Sequence, residues 1–297
     1  MASIHTLNEQ RSPQDCWEEN SPVVVHHILT VKCDILGNEC TGLTAVDSSR
    51  RAVILSFRGT TVGTTQILVE AAEALLTKKP HPAGGKVQHY FWNAFEKLWP
   101  CIFESLTQLK LTYPSYQLYI SGYSLGGSIG SIAAMQIQMT TGLWTGSQIK
   151  LITYGEPRTG EYSYAMAHNK LLPNTWRVVH RADMIPHLPT CKSSLNGVCQ
   201  QTPGENYHHS LEVLFGKEMW PDRRLIYQEC RGEPFGEDQS CSNRLYGSQL
   251  VNNDHLTYYT EKGEWVTGWC KSRMKSSKSF LPQITYSAAC AKFDLTG

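Results

Sequence analysis

Apolar positions along the chain follow two spacings, one typical of strands and the other of helices. Runs rich in β-branched residues predict strands at Val23–Lys32, Gly42–Val46, Ala52–Phe57, Gln148–Tyr154 and Trp176–His180. Apolar residues three and four apart predict helices at Gln66–Leu76, Phe91–Leu109 and Tyr162–Leu171. We expect Pro100 to interrupt the second helix, because proline lacks the amide hydrogen that a helix interior uses. Strands that alternate with helices predict an α/β fold with a mainly parallel sheet.

One junction between a strand and a helix carries a recognisable motif. Apolar Leu118 and Ile120 predict a strand that runs into Gly122-Tyr123-Ser124-Leu125-Gly126, and helical spacing follows through Thr140. These five residues fit the G-x-S-x-G nucleophile elbow, in which a strained turn exposes the serine at the top of a sheet. Both glycines are needed there, because a Cβ would collide with the neighbouring strand or helix. We therefore predict that Ser124 is a nucleophile; the alternative is an ordinary strand-to-helix turn.

The composition is that of a globular protein with little net charge. The 27 Lys and Arg residues nearly balance the 26 Asp and Glu residues, so nothing favours a nucleic-acid partner. No apolar run approaches the roughly twenty residues of a membrane-spanning helix, and we expect no transmembrane segment. A chain of 297 residues favours one α/β domain with short appendages over two domains.

We divide the chain into three parts on these patterns. They are an N-terminal extension at residues 1–22, the α/β domain at residues 23–270 and a C-terminal tail at residues 271–297. Beyond Phe215 the domain becomes loop-rich, with many polar residues and cysteines between Cys230 and Asp254. The tail is locally basic, which we interpret as a solvated terminus rather than a contact with anionic lipid.

The ten cysteines favour an oxidising compartment, since none has the C-x-x-C spacing of a zinc site. Short separations predict bridges Cys33–Cys40, Cys191–Cys199 and Cys230–Cys241. Of the four cysteines that remain, Cys16 and Cys270 could join the two ends of the chain. Residues 1–14 contain no apolar segment of the kind that a signal peptide needs. We expect a secreted protein whose signal lies outside this sequence; the alternative is a set of reduced thiols.

An elbow serine reacts only with help from two other side chains. A histidine accepts its proton, and a carboxylate fixes the orientation of that histidine. In sheets of this type the acid and the base follow the serine along the chain, in that order. The candidate acid is Asp183, which follows the strand Trp176–His180 at the carboxyl edge of the sheet, where catalytic groups gather. The alternative role for an aspartate at that place is a turn former or helix cap.

Four histidines follow the aspartate and are candidates for the base. His187 is too close to it in sequence for a comfortable pairing. His208 and His209 precede an apolar stretch, where packing or exposure is the usual role, and no third ligand at suitable spacing suggests a metal site. His255 ends a long loop that could fold back over the sheet edge. The residues alone therefore favour His255 only mildly.

Six motifs together resemble those of class 3 lipases, the fungal-lipase-like branch, and most closely its nematode-type members. The resemblance covers roughly residues 16–270, and its motifs in chain order are Ser56-Phe57-Arg58-Gly59-Thr60, the elbow with Gly127, Thr153-Tyr154-Gly155-Glu156-Pro157-Arg158-Thr159-Gly160, Asp183 with Ile185-Pro186-His187-Leu188-Pro189, His208 with Glu212, and His255-Leu256 with Tyr258. It implies an α/β-hydrolase fold and a catalytic triad of Ser124, Asp183 and His255. It also implies that His208 is structural.

The resemblance further implies how the negative charge of a tetrahedral intermediate is stabilised. In the family the backbone N–H groups of Leu125 and Thr60 form the oxyanion hole, and the Thr60 hydroxyl could assist. The predicted helix Gln66–Leu76 falls where the family carries its lid; the alternative is a surface helix packed on the core. The chain departs from the family at Tyr123, where a histidine is usual, and we expect the elbow to tolerate this because the position is not catalytic.

The function implied by the resemblance is hydrolysis of lipid ester bonds, as in triacylglycerol lipases, by a secreted serine esterase. The substrate would be a lipid ester at an oil–water or membrane interface, and the triad chemistry requires neither a metal nor an organic cofactor. One alternative is a carboxylesterase that acts on small soluble or aromatic esters. Another is a catalytically silent lipid-binding protein, although the complete triad argues against it.

Overall fold

The computed structural model of the protein describes residues 22–33, 39–59, 77–194, 197–219, 226–258 and 290. Its main sheet has eight strands, which are β1 (Val23–Lys32), β2 (Glu39–Asp47), β3 (Ala52–Phe57), β6 (Gln117–Tyr123), β7 (Ile149–Tyr154), β9 (Thr175–His180), β11 (Leu211–Phe215) and β12 (Gln228–Cys230). Their spatial order is β1-β2-β3-β6-β7-β9-β11-β12. The central strands β3, β6, β7, β9 and β11 are parallel, whereas β1, β2 and β12 pair antiparallel at the edges. The prediction of a mainly parallel sheet is therefore confirmed.

A second, small antiparallel sheet was not predicted. It consists of β10 (Asn206–Tyr207), β8 (Gly160–Glu161), β5 (Lys86–Gln88) and β4 (Lys78–Pro80), in that spatial order. Residues 81–85 form the turn that joins β4 to β5. Strands of two or three residues are too short to show an alternating pattern, which is why the sequence did not reveal them.

The described helices are α1 (His89–Thr112), α2 (Leu125–Gln136), α3 (Tyr162–Leu171) and α4 (Asn252–His255), and α2 continues into a π-helical turn at Ile137–Thr141. The predicted interruption at Pro100 is wrong, because α1 is continuous through that residue. Proline inside a helix costs about 3 kcal/mol. Leu98, Cys101 and Ile102 are buried on either side of it, so packing against the core offsets that cost.

The main hydrophobic core lies where α1 and α2 pack on the sheet. Every residue of α2 from Leu125 to Met135 is buried, and several of them are glycine, alanine or serine. Small side chains let the helix axis approach the strands closely. The start of α2 is therefore held rigidly against the sheet, immediately after Ser124.

Disulfides join all eight cysteines that the structure describes. The predicted bridges Cys33–Cys40, Cys191–Cys199 and Cys230–Cys241 are confirmed. A further bridge joins Cys101 in the middle of α1 to Cys290, and both residues are fully buried. Cys16 and Cys270 lie outside the described residues, so a bridge between them stays a prediction.

Several other expectations fall where the structure describes little. The predicted extension and tail lie outside the described residues apart from residues 22 and 290, and the three-part division stays a prediction. The predicted helix Gln66–Leu76 also lies outside them. Within the described part of the chain, no helix has both the length and the apolar character needed to cross a bilayer.

Candidate active site

Ser124 lies in a tight turn between β6 and α2, with φ of 55° and ψ of −127°. A positive φ is rare for a residue with a side chain and marks a strained position. A Cβ on Gly122 would lie 2.0 Å from the carbonyl oxygen of Gly126, and one on Gly126 would lie 2.4 Å from that of Phe57. Both elbow glycines are therefore required by close backbone contacts, as the motif predicts.

The ends of three parallel strands bring the other candidate groups to the same edge of the sheet. Ser124 follows β6, Gly155 follows β7 and Asp183 lies three residues after the end of β9. A Cβ on Gly155 would lie 2.8 Å from Oδ2 of Asp183 and 2.8 Å from Nδ1 of His255. The glycine in the middle therefore leaves the space that the aspartate and the histidine occupy.

Asp183 and His255 form a direct pair. Nδ1 of His255 donates to Oδ2 of Asp183 over 2.8 Å, and both side chains are buried. The same oxygen accepts from the Tyr258 hydroxyl at 2.7 Å, and Oδ1 accepts from the backbone N–H of Ile185 at 2.9 Å. Because Nδ1 carries the donated hydrogen, Nε2 of a neutral His255 is an acceptor. The imidazole is thus oriented to accept a proton on its far side.

Two buried atoms at the site have no hydrogen-bond partner among the described residues. They are Oγ of Ser124 and Nε2 of His255. Buried polar atoms are nearly always paired, so each exception needs an explanation. These are the two atoms between which a proton would pass if the serine were activated by the histidine.

Hydrogen bonds fasten the segment that carries the histidine to the segment that carries the aspartate. The backbone N–H of Val251 donates to the carbonyl of Ala182 at 2.7 Å, and the N–H of Ala182 donates to Oδ2 of Asp254 at 3.0 Å. His180 donates through its backbone to the Tyr258 hydroxyl at 3.0 Å and through Nδ1 to the Asp254 carbonyl at 3.1 Å. The two segments, far apart in sequence, therefore hold one fixed arrangement.

The aromatic residues around the imidazole come from two parts of the chain. The ring of Tyr123 stacks on His255 with centroids 4.7 Å apart and planes 20° apart, while Tyr258 meets it edge-on at 6.3 Å. Burial and the nearby charge of Asp183 raise the pKa of both tyrosines well above the usual value. Both hydroxyl groups therefore stay protonated and can donate. Sequence reasoning gave neither of these tyrosines a role.

The other candidate histidines make different contacts. Nε2 of His208 donates to the carbonyl of Pro186 at 2.7 Å, and Nε2 of His209 donates to Oε1 of Glu156 at 2.9 Å. Burial, with a smaller effect of Arg158, lowers the pKa of His187 to about 4. No hydrogen bond among the described residues joins any of these three imidazoles to the serine or the aspartate. They pack within the fold, which agrees with the structural role expected of His208.

A buried ion pair braces the loop after Asp183, and the sequence analysis did not find it. The guanidinium of Arg158 donates to Glu237 at 2.8 Å and 2.9 Å, and both side chains are almost inaccessible. Its Nη1 also donates to the carbonyl of His187 at 2.6 Å. Arg158 lies in a motif that the resemblance identified, but its partner is 79 residues away. Spacing along the chain gave no sign of this contact.

One cluster of metal-binding residue types occurs in the described part of the chain, formed by Glu212, Cys230 and Cys241. The two cysteines are joined to each other in a disulfide. Cysteine binds a metal as the thiolate, and neither sulfur of this disulfide is a thiolate. Glu212 instead accepts from the backbone N–H and the hydroxyl of Ser242. The cluster is therefore a structural contact.

The expected oxyanion hole is described in part. Leu125 is the first residue of α2, so its N–H belongs to the helix start, where donors have no carbonyl four residues earlier. Thr60 lies outside the described residues. Gly59, directly before it, lies against Ser124, because a Cβ on this glycine would be 3.3 Å from Cβ of the serine. The backbone therefore lies next to Ser124 at Gly59, the residue that precedes Thr60.

A mainly parallel sheet with a strained serine between a central strand and the following helix defines the α/β-hydrolase class. Comparison with known proteins identifies the family within this class. A family profile described as Lipase (class 3) matches residues 54–193. A lipase of Caenorhabditis elegans is 31% identical over 261 residues, which cover 82% of this chain and 72% of that protein. The chain belongs to the class 3 lipase family, and so to the carboxylic ester hydrolases.

Fungal proteins extend this comparison. A secreted mono- and diacylglycerol lipase of Gibberella zeae is 26% identical over 61% of this chain, which spans about half (48%) of that protein. The solved structure of lipase II from Rhizopus niveus matches with a TM-score of 0.66 and 20% identity, covering 82% of this chain and 83% of its own. A Rhizomucor miehei triacylglyceride lipase matches with a TM-score of 0.65 and 21% identity, covering 84% and 83%. These structures share the fold of this chain.

Proposed function

We propose that the protein is a triacylglycerol lipase-like serine hydrolase in which Ser124, His255 and Asp183 cleave lipid ester bonds through an acyl-enzyme. The observation that carries this proposal is the 2.8 Å contact from His255 to Asp183 at the sheet edge where the strained serine also lies. It is supported by the buried atoms Oγ of Ser124 and Nε2 of His255, neither of which has a hydrogen-bond partner among the described residues. Those atoms are the donor and the acceptor that the first proton transfer requires.

In the first half of the reaction, Oγ of Ser124 attacks the carbonyl carbon of the ester while its proton passes to Nε2 of His255. The negative charge that forms on the carbonyl oxygen is held by the backbone N–H groups of Leu125 and Thr60. Asp183 stabilises the imidazolium through Nδ1. The role of Thr60 is inferred from the family resemblance and from the position of Gly59 beside the serine.

In the second half, the intermediate collapses and the bond to the leaving alcohol breaks. The alcohol oxygen takes the proton from Nε2 of His255, and the acyl group stays on Ser124. A water molecule then attacks the acyl carbonyl while its proton passes to Nε2. Collapse of the second intermediate returns that proton to Oγ and releases the carboxylic acid, which restores the resting site.

For the substrate we propose glycerolipid esters at an oil–water or membrane interface. Family membership and the names of two fungal relatives, which are mono- and diacylglycerol lipases, support this class. We also propose that the protein is secreted, which agrees with four disulfides in the described residues and with relatives named as secreted. The predicted helix Gln66–Leu76 would be the lid over the site and would open toward lipid.

The first test is covalent labelling of the purified protein with a fluorophosphonate, followed by peptide mapping. We expect the label on Ser124, and we expect Ser124→Ala to keep the fold while losing hydrolysis. Labelling at another serine, or full activity in the alanine variant, would overturn the proposed nucleophile.

A second test separates a lipase from an esterase that acts on soluble esters. Hydrolysis of one medium-chain ester is followed as its concentration passes the solubility limit. A lipase should show a rise in rate when droplets form. Its lid can then open, because the apolar face of the lid exchanges its contact with the protein for contact with lipid. A rate that saturates smoothly below that limit would favour the carboxylesterase alternative.

A further inference from the structure

Tyr123 precedes the proposed nucleophile, yet its side chain contacts the proposed base. Its ring stacks on the imidazole of His255 with centroids 4.7 Å apart and planes 20° apart. Its hydroxyl donates to the backbone carbonyl of the same residue at 2.5 Å. The tyrosine is 6% exposed, so both contacts are shielded from water. The side chain of Tyr123 therefore restrains both the imidazole ring and the backbone of His255.

These two contacts restrain different motions of the histidine. The base must present Nδ1 to Asp183 and Nε2 to Ser124 at the same time, which requires one plane of the imidazole ring. A stacked ring prevents the imidazole from tilting out of that plane. The hydrogen bond to the carbonyl restrains the backbone at His255, the last residue of the four-residue helix α4. Small displacements of a reacting group are costly in rate.

We propose that Tyr123 is a positioning residue that holds the imidazole of His255 in the plane required for proton transfer, a role that rests on the proposed function. Tyrosine suits this role because it offers both a flat ring and a hydroxyl at the far end.

The π-face of the tyrosine also favours the charged state of its neighbour. The imidazolium that forms during acylation is a cation, and a cation over an aromatic face is stabilised. Among the described residues, the other ionisable groups that contact His255 are the carboxylate of Asp183 and the side chain of Tyr258. Both come from segments other than that of Tyr123. The ring of Tyr258 also meets the ring of Tyr123 edge-on at 5.9 Å, a contact that Tyr123→Phe keeps.

The test compares Tyr123→Phe, which keeps the stacked ring, with Tyr123→Leu, which removes both contacts. On a short soluble ester we expect kcat to fall about fivefold for the phenylalanine variant, the effect of one lost hydrogen bond. We expect a fall of about twentyfold or more for the leucine variant, with KM within a factor of about two for both. The matched control is Tyr164→Phe, since Tyr164 is also buried and its hydroxyl bonds to Ser131, away from the imidazole.

A second measurement distinguishes positioning from a general effect on folding. The imidazole of His255 is titrated by NMR in the folded variants, with the acid limb of kcat/KM recorded beside it. In Tyr123→Leu the midpoint should move to lower pH, because the imidazolium loses the aromatic face. The Tyr164→Phe control should leave it unchanged.

The outcomes separate this proposal from the proposed function. The positioning role would be overturned if Tyr123→Leu folded, kept the kcat of the unsubstituted protein and left the titration midpoint of His255 unmoved. If Ser124 failed to react with a fluorophosphonate in the unchanged protein, the proposed function would fail instead. The NMR titration would still report whether Tyr123 acts on His255.

Discussion

The hydroxyl of Tyr258 donates to Oδ2 of Asp183, the same oxygen that accepts from His255. It also accepts from the backbone N–H of His180 at 3.0 Å. One hydroxyl thus connects the end of β9 to the carboxylate. The aspartate receives its support from a residue only three positions after the histidine that it orients.

Tyr258→Phe should therefore affect both stability and rate. The buried N–H of His180 would lose its acceptor, and we expect the free energy of unfolding to fall by about 1–3 kcal/mol. We expect kcat on a soluble ester to fall by up to about tenfold, since the carboxylate loses one of three donors. Urea unfolding and steady-state kinetics measure the two effects. Exposed Tyr227 offers the control Tyr227→Phe, and equal results for both variants would refute the assignment.

Substitution of the proposed triad members should distinguish the proposed base, His255, from the other histidines. Asp183→Asn keeps the shape of the side chain but presents an amide to Nδ1, so we expect kcat to fall on the order of a thousandfold or more. His255→Ala should cost a similar factor. His208→Ala and His209→Ala should act mainly through the free energy of unfolding. If His255→Ala stayed active while one of that pair became silent, the base would be misassigned.

Gly155→Ala should disturb the contact between Asp183 and His255. The added Cβ would lie 2.8 Å from Oδ2 of Asp183 and from Nδ1 of His255, and we expect kcat to fall at least about tenfold. The residue also has φ of 57°, so the substitution strains the backbone by itself. Gly142→Ala is the matched control, because φ there is 65° and no atom lies within 4 Å of its added Cβ. Equal activity losses in the two variants would mean that strain alone matters.

Stability should depend on pH through buried histidines. Burial lowers the pKa of His187 to about 4, whereas its usual value is 6.5. Between those values the unfolded chain binds the proton more tightly than the folded one, so the free energy of unfolding falls as pH falls. The loss from this residue should begin near pH 6.5 and be complete by about pH 4, with a size of about 3 kcal/mol.

The measurement is the free energy of unfolding in urea at several pH values between 7 and 4, for the protein and for His187→Gln. The variant should show a shallower dependence, since one proton fewer is taken up on unfolding. Burial also lowers the pKa of His81 to about 4, so His81→Gln should flatten the curve in the same direction. Unchanged curves in both variants would contradict this account.

Removal of the bridge Cys101–Cys290 should destabilise the protein more than removal of Cys33–Cys40. The two bridges span 189 and 7 positions, and in the chain-entropy account a longer closed loop restricts the unfolded chain more strongly. We expect paired alanine substitutions at the long bridge to lower the free energy of unfolding by about 2–5 kcal/mol. Thermal unfolding of the two double variants measures the difference. A larger loss at the short bridge would contradict the expectation.

Local pattern predicted much of the fold. The strands Val23–Lys32 and Ala52–Phe57 and the helix Tyr162–Leu171 begin and end where the sequence indicated. These elements have strong apolar periodicity and clear polar boundaries. Pro100 shows the limit of such reasoning, because the sequence marks a helix breaker while the decisive packing on both sides comes from distant strands.

The candidate site was predicted unevenly for a similar reason. The elbow is a local motif, and its geometry follows from two glycines that lie two residues before and two residues after the serine. His255 was only mildly preferred on the residues alone, and the family resemblance was needed to select it. The ion pair of Arg158 with Glu237 was missed altogether, since its partners are 79 residues apart and the motif around Arg158 gives no sign of Glu237. Contacts of this kind are set by topology, which a linear pattern does not encode.

The disulfide between Cys101 and Cys290 closes residues 101–290 into one covalent ring. Ser124, Asp183 and His255 all lie on that ring. A single proteolytic cut anywhere inside it would open the ring but release no fragment, so the nicked protein would stay in one piece until the disulfide was reduced.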